Sequence, residues 1–140
     1  MYYYAMKPLI ITNNRKVYDE FSAKVETVFH EDLSQSDILM MARDMIHLGA
    51  RLIIHPMMGR IKPHETPYKS VFLEIPEERE TQDAGFKTDA NSVIIIEDSI
   101  AETGKLLADT MGLKYDDTML EDLSYLDYLL IKSGLEEYFG

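Results

Sequence analysis

Seven side chains able to carry or donate to charge crowd one stretch of this sequence: Arg43, His47, His55, Arg60, Lys62, His64 and Lys69. Guanidinium forks, ammonium charges and imidazole N–H groups are the donors that a carboxylate or phosphate needs. Residues 43–69 hold five Lys or Arg against two acids, while the remainder holds nine against twenty-three, within a net charge of −11. The pattern points to an anion site in an otherwise acidic protein. The alternative is a solvated positive face that balances the acidic remainder. His55 ends an apolar run and precedes Pro56, so its ring would keep one orientation as acid, base or donor, or else bond a nearby carbonyl. Tyr68 could lend its hydroxyl to a ligand or simply pack. His47 falls on the polar side of its helix, where plain solvent exposure is the competing account.

Other chemistries lack their signatures. The histidines form no tight pair such as HxH or HExxH and the chain has no cysteine, so no metal site is expected. Gly59-Arg60-Ile61-Lys62 fits neither phosphate-loop pattern, and no cofactor is expected. Thr66 and Ser70 are the hydroxyls nearest the histidines, yet neither sits in a GxSxG turn, so Ser70 reads as an ordinary strand residue. Absence of cysteine excludes disulfides and thiol nucleophiles and is compatible with a reducing compartment. The acidic charge disfavours nucleic acid and anionic membrane surfaces. The opening MYYYAMKPLIITNN has no basic leader and no run reaches about 18 apolar residues, which makes the cytoplasm the expectation.

The elements that must position these residues read as one α/β domain over residues 1–140, with a mainly parallel or mixed central sheet flanked by helices. Residues 8–12 form an isoleucine-rich strand closed by Asn13 and Asn14. A helix over 15–23 and a strand over 25–30 complete a βαβ opening. The next helix is capped by Ser36 and stopped by Gly49, with Ile38, Ala42, Met45 and Ile46 on one face and Arg43 and His47 on the other. A strand over 51–55 leads into PMMGRIKPHETP, whose prolines forbid regular structure yet stiffen the loop. A strand over 68–75, an acidic surface loop over 77–90 and a helix over 91–110 follow. Thr118 and Glu121 form a capping box for a last helix, with Met119, Leu123, Leu126 and Leu130 as its apolar face and an end before Gly134. Ligands in such folds bind beyond the carboxyl ends of strands, which places Asn13, Asn14 and His55 on one rim.

Three blocks, LIITNN at 9–14, RDMIHLGARLIIHP at 43–56 and KPHETPYKS at 62–70, resemble the GrdX family of small bacterial proteins. Weaker similarity runs through IEDSI and MLEDLSYLDYLLI. Asn13, Asn14, Arg43, His47, His55, Lys62, Glu65, Tyr68 and Lys69 match the family pattern, whereas Arg60 and His64 stand where it tends to have serine and asparagine. In that family the genes lie beside those for glycine, sarcosine or betaine reductase, so the resemblance implies an accessory role in amino-acid reduction.

The leading expectation is a non-catalytic accessory or regulatory protein. It would recognise a small anion or a reductase component through Asn13, Asn14, Arg43, His47, His55, Lys62, Tyr68 and Lys69. An enzyme using His55 as general acid or base is the alternative. A structural homo-oligomer joined through Tyr2 to Tyr4 is the third reading.

Overall fold

A computed structural model describes residues 5–59, 61–77, 88–108 and 114–140. Arg60, Tyr2 to Tyr4 and most of the acidic loop predicted over 77–90 therefore lie outside the described residues. The elements run β1 (Met6–Thr12), α1 (Arg15–Phe21), β2 (Glu26–Phe29), α2 (Gln35–His47), β3 (Arg51–Leu52), a 3-10 turn (Pro63–Glu65), β4 (Ser70–Pro76), α3 (Ala90–Ala108) and α4 (Asp117–Phe139).

The strands form one mixed sheet in the order β2-β1-β4-β3. Strand β1 lies parallel to β2, completing the predicted βαβ opening, and antiparallel to β4, which in turn pairs antiparallel with β3. The carboxyl ends of β1, β2 and β3 and the start of β4 consequently share one rim. Alternate residues of the central strands serve opposite faces. Leu9, Ile11, Val71 and Leu73 meet Ile38, Leu39, Ala42, Ile46 and Ile96 of α2 and α3. Ile10 and Phe72 meet Val17, Ile131 and Leu135 of α1 and α4. The result is a single three-layer α/β domain.

Several local expectations change. Ser34, not Ser36, caps α2: Asp37 N–H donates to Ser34 Oγ at 3.1 Å and Ser34 N–H donates back to Asp37 Oδ2 at 3.4 Å. The three-residue spacing of a capping box fits Ser34 and misses Ser36. Gly49, at φ 106°, terminates α2 as predicted, since positive φ suits a residue without Cβ. Strand β3 covers only Arg51–Leu52, with Ile53 N–H still donating to Phe72 O at 3.0 Å, before Pro56 constrains His55 and the chain bends through a turn in which Met58 N–H donates to His55 O at 3.0 Å. The proline-rich loop contains a 3-10 turn where no regular structure was expected, with Pro63 at its start, where a missing N–H costs little.

Helix α4 departs most from expectation. Asp116 caps it by accepting from Met119 N–H at 2.8 Å, displacing the predicted Thr118 box, and the helix runs through Gly134 to Phe139. Gly134 is there for proximity: a Cβ would stand 3.3 Å from Ile54 Cγ2 and 3.5 Å from Phe72 Cδ2. The face turned to the sheet carries Ser124, Asp127, Tyr128, Ile131 and Leu135, one residue on from the predicted stripe. Met119, Leu126 and Leu130 remain 45, 43 and 37% exposed.

Candidate functional site

On the rim, Asn13 and Asn14 are consumed by the fold. Asn13 Nδ2 donates to Leu33 O and Pro67 O at 2.9 and 3.0 Å, and its Oδ1 accepts from Lys69 N–H at 2.8 Å, tying β1 to both flanking loops. Asn14 caps α1 by accepting from Lys16 N–H and donates across to α4, reaching Ser124 O at 2.9 Å and Asp127 Oδ2 at 3.0 Å. Gln35 donates to Pro63 O at 2.7 Å and also to Thr66 O, which pins the loop ahead of Tyr68.

These ties leave a cavity of about 350 Å³ between α4 and the 54–70 loop. Its polar lining includes His55, Thr66, Tyr68, Lys69, Ser70 and Asp127; its apolar wall includes Ile54, Met58, Ile61, Leu126, Leu129 and Leu130. Gly59, at φ 117°, lets the loop rest on α4, where a Cβ would stand 3.0 Å from Leu130 Cδ1. Lys69 Nζ donates to Pro56 O at 2.7 Å and makes no ion pair within 4.0 Å among the described residues. An ammonium has three donors, so two remain for a ligand. Burial lowers the Lys69 pKa and nearby Asp127 partly opposes that shift.

Behind Lys69 runs a polarised chain of hydroxyls. Asn14 N–H donates to Thr12 Oγ1 at 2.9 Å, Thr12 Oγ1 and Ser70 Oγ lie 2.7 Å apart, and Ser70 Oγ donates to Asp127 Oδ2 at 2.7 Å. Asp127 Oδ2 thus accepts from the side chains of Ser70 and Asn14, the Ser70 backbone also favours the carboxylate, and Oδ1 accepts from no side chain among the described residues. Asp127 is half-buried and borders the cavity. Loss of hydration raises its pKa against the opposing pull of Asn14, Ser70 and Lys69. Tyr68, between this cavity and the next hollow, is also raised, first by burial and then by the charges of Glu31 and Asp127.

Beyond Tyr68 a second hollow of about 520 Å³ is bordered by Asn13, Asn14, Arg15, Glu31, Asp32 and Gln35 among others. Arg15 is engaged by Glu31 at 2.9 Å and Lys16 lies 3.8 Å from Glu20, so both cations bordering this hollow already face acids.

Of the residues singled out in the sequence, His55, Tyr68 and Lys69 converge on the first cavity, and Asn14 abuts it through Asp127. His55 is exposed, its Nδ1 accepting from Met57 N–H at 3.0 Å. Arg43 and His47 are elsewhere, on α2, where Arg43 approaches Asp44 and Glu97 at 3.8 and 4.0 Å. Lys62 is exposed at the 3-10 turn and lines neither hollow. The sequence reading missed Asp127 and the role of Ser70. One signal was present: at about 100° per residue Asp127 falls roughly 40° from Leu123, inside an apolar stripe where an acid needs a reason. No group of His, Asp and Glu among the described residues has the arrangement to hold a metal ion, and no helix among them is long and apolar enough to cross a membrane.

No curated protein and no solved structure matches the chain. A family profile described as GrdX-like protein matches residues 9–136, which includes the whole rim, the loop and α4 up to Glu136. The chain belongs to the GrdX-like family.

Proposed function

We propose that this protein is a non-catalytic accessory component of amino-acid reduction that binds a small anion in the cavity between α4 and the 54–70 loop. The observation that carries the reading is the Lys69 ammonium, anchored on Pro56 O, with its remaining donors free beside a cavity. Partial burial of Lys69 strengthens a charge-assisted bond to a carboxylate or phosphate over its value in bulk solvent. Tyr68 and Thr66 supply hydroxyls along the same wall, and His55 stands at the edge. Membership of the GrdX-like family supports the connection to glycine or betaine reductase, whose components are the proposed partners. Arg43, His47 and Lys62 are left for such a partner and not for the small ligand.

Backbone amide shifts recorded during titration with acetate, hexanoate, acetyl phosphate, orthophosphate, glycine and betaine test the reading. Movement confined to residues 54–59 and 66–70, weakened at least tenfold by Lys69→Met, is the expected result. Binding should fade as pH rises through the lowered Lys69 pKa, ahead of the ordinary lysine value of 10.5. Silence across the whole set removes the anion site.

A further inference from the structure

The cavity that holds Lys69 is unlike a pocket for a wholly polar anion. Met58, Leu126, Leu129 and Leu130 line it and are themselves 57, 43, 37 and 37% exposed, so an apolar wall stands open beside a buried cation. An apolar cavity of about 150 Å³ takes one benzene, so about 350 Å³ has room for on the order of ten non-hydrogen atoms of ligand. A two-carbon acid or an inorganic ion would leave most of that wall wet. An apolar chain joined to an anionic head satisfies both halves at once.

Resting on the anion-site reading, we infer that the natural ligand is a monocarboxylate with an apolar tail of about four to seven carbons, its head on Lys69 and its tail along Leu126, Leu129 and Leu130. The polar groups arrange the head. Asp127 Oδ2 is held by the side chains of Asn14 and Ser70, so a proton on this carboxyl belongs on Oδ1, which accepts from no side chain among the described residues. There it donates to the ligand carboxylate while Lys69 supplies the charge. Burial, which favours the neutral acid, works in the same direction. The donors on Oδ2 also set the orientation: reversed, an O–H at Oδ2 would face the Asn14 N–H. An α-amino acid would instead call for an ionised Asp127 to accept from its ammonium.

Calorimetric titration of the full chain with sodium acetate, butyrate, hexanoate and octanoate separates this inference from the reading beneath it. Each methylene buried against the wall should tighten binding about fourfold up to the length that fills the cavity. Lys69→Met should weaken every member at least tenfold, and Leu126→Ser, at an exposed position that the fold tolerates, should flatten the chain-length series while sparing acetate. Equal affinity for all four acids, or tighter binding of norleucine than of hexanoate, overturns the apolar-tail assignment and leaves the anion site standing. Octanoate binding unaffected by Lys69→Met overturns the head assignment. No binding by any acid or by orthophosphate overturns both.

Discussion

On one face of the sheet, α2 and α3 turn Ile38, Ala42, Ile46 and Ile96 inward until none of their surface remains open. On the other face, α4 buries Ile131 and Leu135 yet leaves Leu126, Leu129 and Leu130 37–43% exposed. Both layers are built from amphipathic helices over the same strands. The difference is the chain that intervenes: residues 54–59 and 61–70 meet α4 at Gly59, and beside that contact the apolar stripe lines a cavity and does not close a core. Apolar surface on a helix is thus a statement about what it can bury and not about what it has buried.

Matched truncations in the two layers put the largest expected effect on this contrast. Ile46→Ala should lower the unfolding free energy by about 2–5 kcal/mol in urea titration, because it deletes fully packed methylenes. Leu126→Ala should cost about 1 kcal/mol or less while weakening ligand binding. Equal losses would mean that α4 is sealed as tightly as α2.

Asp127→Asn addresses the polar end of the cavity. The substituted amide still offers an oxygen to Ser70 and Asn14, but it carries no charge. Asp127 has a folded pKa raised above its ordinary 3.8, so the folded state holds this proton more tightly than the unfolded chain does. That contribution is complete below the ordinary value and is lost as pH rises through the raised one. The urea midpoint of the parent protein should therefore fall relative to Asp127→Asn as pH rises through that interval. The opposite slope would show that Asn14, Ser70 and Lys69 together favour the carboxylate over the acid.

The smallest effect belongs to α2. Among the described residues Arg43 makes only long ion pairs with exposed acids, and Arg43→Ala should change stability by no more than about 0.5 kcal/mol and leave carboxylate affinity untouched. A tenfold loss of affinity in the same titration would move the binding site to the outer face of that helix.

Much of the site was legible before any coordinates. The basic segment drew attention to Lys69, Tyr68 and His55, and the rule that ligands sit beyond strand ends put His55 on a rim with Asn13 and Asn14. The structure separates Arg43, His47 and Lys62 from that rim because adjacency in sequence says nothing about which side of a layer a helix residue faces. Ser70 looked ordinary because its meaning depends on Thr12 and Asp127, 58 and 57 positions away.

By itself the sequence determined the periodic elements, the βαβ opening, the stop at Gly49 and the family, since these depend on local propensity, short-range spacing and recurring motifs. Tertiary structure alone decided the register of α4. Its sequence offers two neighbouring stripes, and the choice went to the one whose Ser124 and Asp127 reach Asn14 and whose Gly134 admits Ile54 and Phe72. Hydrogen bonds and close packing between distant residues made that selection, which a 3.6-residue period cannot make, and the stripe left over became the wall of the cavity.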